Sequence, residues 1–278
     1  MNFDINQYLK QIKLPEPQSH KGQNGKLLII GGSDLFHAAS KWSLDIASKF
    51  VDMVFYSSVP SNNQLVHEAK QNFWNGIVVE RENLTEYLEE ADCVLIGPGM
   101  TRQNFHAQSL KNLGGQARLT KNDWQNNTYK ITNYLLKKYP HKRWVLDAGA
   151  LQMVDVNLLP ENCILTPHKK EFLRFEKILD NKYLILLKGP IDKIYYQGQE
   201  LEVSGGNAGM TKGGTGDVLA GLVAALYCQN NILTSAVVAS YVNKKAGESL
   251  SWRVGPFFNA SDLVNEVPKV FWKEINSN

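Results

Sequence analysis

Residues 26–31, Lys26-Leu27-Leu28-Ile29-Ile30-Gly31, decide how this chain folds. Four consecutive Leu and Ile residues leave no polar face. Alternation would mark a strand wetted on one side, whereas an unbroken apolar run marks one covered on both. Helices above and below a parallel sheet supply that cover. Residues 53–56 (Met-Val-Phe-Tyr), 76–79 (Gly-Ile-Val-Val), 93–96 (Cys-Val-Leu-Ile), 144–146 (Trp-Val-Leu), 163–165 (Cys-Ile-Leu) and 183–187 (Tyr-Leu-Ile-Leu-Leu) repeat the pattern. Helical patterns fall between and after them, at 38–50, 84–90, 127–139, 170–179, 216–229, 232–250 and 261–274. This order predicts an α/β fold, a central mostly parallel sheet flanked by helices on both faces. Residues 193–197 and 200–204 flank Gly198-Gln199 and predict a hairpin at one end. The chain has no Pro/Ser-rich linker and no internal repeat, so one domain over 1–278 is expected. The stretch 103–127 is polar and aperiodic. It reads as an exposed loop, with a mobile lid and a plain surface insertion as the alternatives.

Composition narrows the function classes. The 278 residues are 43% hydrophobic and 21% charged, as in ordinary water-soluble domains. A net charge of +3 gives no reason to expect a nucleic-acid or membrane partner. No apolar run is long enough to span a bilayer, and residues 1–13 lack a secretory hydrophobic core. Cys93, Cys163 and Cys228 are an odd three without ligand-like spacing, so buried free thiols are expected rather than a disulfide or zinc site. A reducing cytoplasm is the simplest compartment. The six histidines show no metal-like grouping.

In open parallel sheets ligands bind where strands end. Gly31-Gly32-Ser33, Gly97-Pro98-Gly99, Asp147-Ala148-Gly149, Thr166-Pro167-His168 and Lys188-Gly189 all follow strand candidates. Each alone is ordinary turn chemistry; five together predict a crevice. His168 is either a ligand contact or a satisfied structural histidine. Lys188 is a candidate phosphate contact as a point charge. Asp147 either holds a magnesium-bound water or caps a turn.

Residues 206–217, Gly-Asn-Ala-Gly-Met-Thr-Lys-Gly-Gly-Thr-Gly-Asp, run straight into the apolar helical pattern Val218, Leu219, Leu222, Val223, Leu226. Glycines let backbone approach an anion closely, and a helix N-terminus offers free N–H groups to phosphate. Asp217 then falls in or just before the first turn. It is placed either to cap the helix or to take a proton from a hydroxyl that attacks phosphorus. The run is neither the Walker pattern nor the dinucleotide fingerprint.

At this point the chain resembles the ADP/ATP-dependent NAD(P)H-hydrate dehydratase family of the ribokinase-like superfamily. Asn207-Ala208-Gly209-Met210 followed by Gly213-Gly214-Thr215-Gly216-Asp217-Val218-Leu219-Ala220-Gly221 is similar to the family signature. The other landmarks follow in order: His20-Lys21-Gly22, Gly31-Gly32-Ser33, Gly97-Pro98-Gly99, Leu146-Asp147-Ala148, Leu165-Thr166-Pro167-His168 with Glu171-Phe172, Leu187-Lys188-Gly189, and Ala260-Ser261-Asp262-Leu263 with Pro268. They span about residues 18–270.

The resemblance implies a ribokinase-like fold and a repair activity, in which nucleotide phosphate drives water out of hydrated NADH or NADPH. It implies Asp217 as catalytic base and Ala39, Gly99, His168 and Asp217 around the hydrate. It assigns Lys188, Gly189, Pro190, Ile191 and Asp192, with Gly213, Gly214, Thr215 and Gly216, to the nucleotide. ADP or ATP would be the co-substrate, with Mg²⁺ bridging its phosphates. It also implies a homo-oligomer, a tetramer in bacterial members, and leaves hydrate epimers to a separate protein.

The chain departs from the family pattern in places. Ala38 stands where Gly is usual, and is expected to narrow the first substrate turn. Residues 50–53 replace a glycine-rich segment. Asp192 stands where Thr is usual. The stretch 171–187 is short and 103–127 long, so a helix beside the nucleotide site is expected to be missing or replaced. The competing readings are a small-molecule alcohol kinase of the same superfamily and a nucleotide-binding protein without turnover.

Overall fold

The computed structural model describes residues 4–102, 119–120, 123–124, 127–178 and 182–277. Strands β1 (Lys26–Ile30), β2 (Met53–Ser57), β3 (Ile77–Val78), β4 (Cys93–Ile96), β5 (Arg143–Leu146), β6 (Cys163–Leu165) and β7 (Leu184–Leu187) are parallel. β8 (Asp192–Tyr196) and β9 (Gln199–Val203) extend the sheet antiparallel, in the order β3-β2-β1-β4-β5-β6-β7-β8-β9. The predicted hairpin is present, with its turn at Gln197-Gly198 rather than Gly198-Gln199. Both residues have positive φ, 50° and 72°, which matches the twist of a two-residue hairpin.

Described helices are α1 (Asn6–Leu9), α2 (Ala38–Ala47), α3 (Pro60–Ala69), α4 (Leu84–Glu90), α5 (Thr128–Lys138), α6 (Ala148–Met153), α7 (Lys169–Phe172), α8 (Thr215–Tyr227), α9 (Ile232–Val254) and α10 (Ala260–Asn276). The first strand shows why its sequence lacks alternation. Leu27 and Ile29 enter one core layer, shared with α2, α8, α9 and α10. Leu28 and Ile30 enter the other, shared with α4, α5 and α6. Burying one such side chain contributes about 1.5–3 kcal/mol, so a register slip in β1 would forfeit several at once. Cys93, Cys163 and Cys228 are free and buried, as their apolar surroundings predict.

Three helices escape the sequence pattern. α3 carries Ser61-Asn62-Asn63-Gln64 and buries Asn62 and Asn63 instead of an apolar stripe. α1 and α6 are single short turns. The helix expected at 170–179 is broken into α7 and a 3₁₀ turn, Glu176–Ile178, and residue 179 lies outside the described residues. Most of the 103–127 stretch also lies outside them. Where the family pattern places glycines near 50–53, Asp52 accepts N–H bonds from Gly22 (2.8 Å) and Asn24 (3.0 Å) and pins the loop before β1.

The chain passes from β1 outward through β2 and β3, then returns to place β4 on the other side of β1. That reversal opens a crevice at the carboxyl ends of β1 and β4. Both ends are glycine-rich because the loops pass too close for a side chain. The Gly32 N–H donates to Pro98 O at 2.7 Å and the Gly97 N–H to Ile30 O at 3.0 Å. A Cβ on Gly97, whose φ is 124°, would sit 1.8 Å from Asp147 O.

Candidate active site

The base of the site is the start of α8. Its N-cap is Gly214, at φ 96°, with no capping side chain. A Cβ there would strike the Trp42 ring at 2.3 Å and Ala260 Cβ at 2.8 Å, so glycine is required for α8 to dock between α2 and α10. Thr215 closes the preceding loop by donating its hydroxyl to Met210 O (2.6 Å) and Lys212 O (3.0 Å). With no side chain at the cap, the Gly216 amide is left to face an anion, while the Thr215 N–H turns back to Lys212 O at 3.4 Å. Asp217 occupies the third position of the helix, within that first turn.

Asp217 is held near neutrality. Burial raises its carboxyl first, the negative charge of Asp147 raises it further, and Lys188 pulls it back, giving about 7. Asp147 is 2% exposed and is positioned by Ala148, whose φ of 41° is costly for a residue with a Cβ. Its Oδ1 accepts from Lys188 Nζ at 2.6 Å and from Thr166 Oγ1 at 2.9 Å. For Lys188, burial alone would lower the ammonium. The attraction and hydrogen bond of Asp147 outweigh it and hold the group above its ordinary value. The ammonium also lies 3.4 Å from where a Cβ of Gly216 would stand. Strand ends β5, β6 and β7 and the α8 N-terminus therefore bring Asp147, Thr166, Lys188 and Asp217 into one charged cluster.

A cavity of about 490 Å³ opens beside this cluster. Lys188, Gly189, Pro190 and Asp192 form one wall, Gly205 to Ala208 another, and Thr215, Gly216 and Leu219 the α8 side. Its volume suits a nucleotide. Of the residues expected at a nucleotide, Ile191 projects outward, 47% exposed, and Gly213 is exposed at the open loop. Asp192 turns away from solvent. Its Oδ1 accepts the Gly189 N–H (2.9 Å) and meets Lys244 Nζ (3.3 Å), and its Oδ2 accepts from Ser240 Oγ (2.7 Å). Lys244 also donates to Gly189 O (2.9 Å) and Pro190 O (3.0 Å), which spends its three donors. The carboxylate at 192 is thus matched by a lysine 52 residues away and holds the turn between β7 and β8.

Ala39 and Gly99 meet at the β1/β4 crevice. A Cβ on Gly99 would lie 3.2 Å from both Ala39 Cβ and Gly32 Cα. Ala38 opens α2 in ordinary helical backbone and is exposed, so it sits in the turn without strain. His168 caps α7. Its Nδ1 accepts the Glu171 N–H (3.2 Å), while Glu171 Oε2 accepts the His168 N–H (3.0 Å). That capping box leaves Nε2 as the free edge of a half-exposed ring. Glu171 reaches Gln152 at 2.6 Å and contributes a minor upward push on Asp217, which ties this corner to the cluster.

Among the described residues no three His, Cys, Asp or Glu side chains converge as a metal group. Of the carboxylates at this site, Asp147 is spent on Lys188 and Thr166. A ready-made magnesium cage is therefore not part of the described site. Also among the described residues, no helix is long and apolar enough to cross a membrane.

Sequence reading missed Asn243 and Lys244, which line the cavity from the middle of α9. Within a 23-residue helix their polarity carries no positional signal; only the packing of α9 against the turn after β7 reveals them.

Comparison with known proteins agrees with this geometry. The NAD(P)H-hydrate dehydratase family matches residues 27–269. The ADP-dependent (S)-NAD(P)H-hydrate dehydratase of Cenarchaeum symbiosum is 30% identical over 271 residues, covering 91% of this chain and 90% of that protein. The bifunctional NAD(P)H-hydrate repair enzyme of Methanocaldococcus jannaschii is 35% identical, over 94% of this chain and 51% of that protein. The chain spans about half the length of such bifunctional relatives. The Bacillus subtilis ADP/ATP-dependent NAD(P)H-hydrate dehydratase, co-crystallized with ATP/Mg²⁺, superposes with a TM-score of 0.71 at 19% identity. That match covers 98% of this chain and 97% of that one. The fold is the ribokinase-like one. With a glycine-capped helix, its half-buried acid and a neighbouring cavity on one sheet end, and with the match running through nearly all of them, this chain belongs to the NAD(P)H-hydrate dehydratase family.

Proposed function

We propose that the chain restores NADH or NADPH from its hydrate at the expense of ADP or ATP. One observation carries the reading: the placement of Asp217 in the first turn of a glycine-capped helix that borders a nucleotide-sized cavity. Asp217 takes the hydroxyl proton of the hydrate. The freed oxygen bonds to the terminal phosphorus as the bond to the departing nucleotide breaks, releasing AMP from ADP or ADP from ATP. Phosphate leaves far more readily than hydroxide. The ring nitrogen lone pair expels it, and loss of a proton from the neighbouring ring carbon restores the double bond.

The protein's share is positioning and charge stabilisation. Backbone amides at Gly214, Thr215 and Gly216 and the Lys188 ammonium would hold the phosphoryl oxygens. The wall from Lys188 to Asp192 would seat the nucleotide, and Ala39, Gly99 and His168 would border the hydrate. Magnesium, when bound, supplies charge neutralisation on the phosphates. It would be held chiefly by phosphate oxygens and water, as that ion commonly is. A homo-oligomer, as the family pattern implies, completes the proposal.

The direct test mixes purified protein with NADH hydrate, Mg²⁺ and either ADP or ATP. Recovery of reduced-nicotinamide absorbance with release of inorganic phosphate is the expected result. A stable phosphoester without recovery would replace the reading with an alcohol kinase.

The electrostatics predict a pH profile. Because Asp217 must be ionised to act, activity should rise through an acid limb near pH 7. Asp147→Asn removes a charge that raises Asp217 and leaves Lys188 to attract it alone. The limb should then move to lower pH by roughly one unit. A limb that stays in place or moves upward would break the assigned coupling.

A further inference from the structure

The lining of the 490 Å³ cavity includes an unused amide. Asn243, on α9, is 3% exposed and lines the cavity. Its Oδ1 is buried with no hydrogen-bond partner, and among the described residues its Nδ2 makes no hydrogen bond either. Its neighbours around the cavity are differently placed. Asn207 spends both ends of its amide, accepting the Gly209 N–H (2.8 Å) and donating to Gly247 O (2.6 Å). Lys244 is saturated by Gly189, Pro190 and Asp192. A buried amide without partners is unfavourable, and folded proteins rarely keep one without a use.

Position within the cavity says what that use is. Lys188, Thr215 and Gly216 form the cationic and amide-rich end, suited to phosphate. Asn243 lies on α9, with Leu219, one turn beyond Gly216 on α8, as an apolar neighbour. A nucleotide with its phosphates at the first end directs its base toward α9. A carboxamide offers one acceptor and one donor side by side. The N6/N7 edge of adenine offers the complement, the 6-amino donor beside the N7 acceptor, and such bidentate Asn–adenine pairs are a standard readout in nucleic-acid recognition. A 6-oxopurine presents two acceptors on that edge, O6 and N7, so neither orientation of the Asn243 amide satisfies both.

The geometry points to Asn243 as the residue that reads the base, selecting 6-aminopurine over 6-oxopurine nucleotides. This rests on the cavity being the nucleotide site, as proposed above. It adds a specificity-determining contact outside the stretches 188–192 and 213–217.

The test compares ADP with inosine diphosphate, which differs at the 6-position in replacing the amine by an oxo group. Titration calorimetry reads binding whether or not turnover occurs. The parent protein should bind ADP at least tenfold more tightly than inosine diphosphate. Asn243→Leu should weaken ADP roughly 5- to 150-fold, the equivalent of the ~1–3 kcal/mol discrimination of a bidentate pair, and bring the two nucleotides within about threefold. The melting temperature should not fall, because leucine relieves a buried unpaired amide. If the parent binds both nucleotides equally, a trapped water rather than a base satisfies Asn243 and the inference is overturned. It is overturned equally if Asn243→Leu keeps the parent's preference. If that variant fails to fold, Asn243→Ser carries the same comparison. Selective ADP binding without any dehydration would refute the proposed activity while leaving the role of Asn243 standing.

Discussion

Asp217→Asn should lower turnover by ~10² to 10⁴-fold while nucleotide binding is largely kept. The amide preserves shape, so the start of α8 keeps its packing against Trp42 and Ala260. What disappears is proton acceptance. The fold tunes the carboxyl for proton transfer, because burial and Asp147 lift it to about 7. A surface carboxylate would be ionised at that pH yet far weaker as a base. The acid limb near pH 7 should also vanish from the residual activity of the variant. Single-turnover phosphate release, with ADP affinity measured separately, checks both statements. Turnover within about threefold of the parent would show that Asp217 merely supports the helix, the capping role open to any aspartate in a first turn.

Lys188→Met should produce the largest loss of stability among these variants. Lys188 and Asp147 are paired at 2.6 Å, and Asp147 is 2% exposed. Removing the cation leaves an uncompensated buried carboxylate. Breaking such a pair costs about 3–5 kcal/mol, whereas replacing both partners by apolar groups is often neutral. The melting temperature should therefore drop by roughly 6–20 °C for a chain of this size. Adding Asp147→Leu should recover most of that loss. Activity should shift in the opposite sense to Asp147→Asn. Lys188 lowers the Asp217 carboxyl, so its removal should push the acid limb to higher pH and weaken nucleotide binding as well. Thermal melts of the single and double variants, with pH profiles of the folded ones, test this. Equal stability of parent and Lys188→Met would mean that Asp147 is hydrated rather than paired.

Much of this architecture is legible in the residues alone. The seven apolar runs became parallel strands because a strand covered on both faces cannot alternate. Leu27 to Ile30 show this by entering two different core layers. The glycine turns mark strand ends because neighbouring loops leave no room for a Cβ, as at Gly97 against Asp147 O. α3 was not legible, since two of its three buried positions are Asn62 and Asn63, with Val66 the third. Asn62 donates to Ser58 Oγ (3.1 Å) and Ser33 O (3.3 Å), satisfaction that no hydrophobic period encodes. His168 reads as a ligand contact or a structural residue. The fold gives its Nδ1 to the cap of α7 and leaves its other edge outward.

The layers, the strand-end turns and the position of Asp217 at the head of an apolar helix all follow from the residues alone. Those features are local, fixed by side-chain size, periodicity and the backbone freedom of glycine. The strand order, with β4 returning beside β1, is set by packing in space. The same packing sets the partners of the charged groups: Lys188 with Asp147 across 41 residues, and Asp192 with Lys244 across 52. Charge pairing and carboxyl tuning depend on distance and burial in space. Spacing along the chain carries neither, so the acid could be named from its neighbours in sequence while its strength came from its neighbours in the fold.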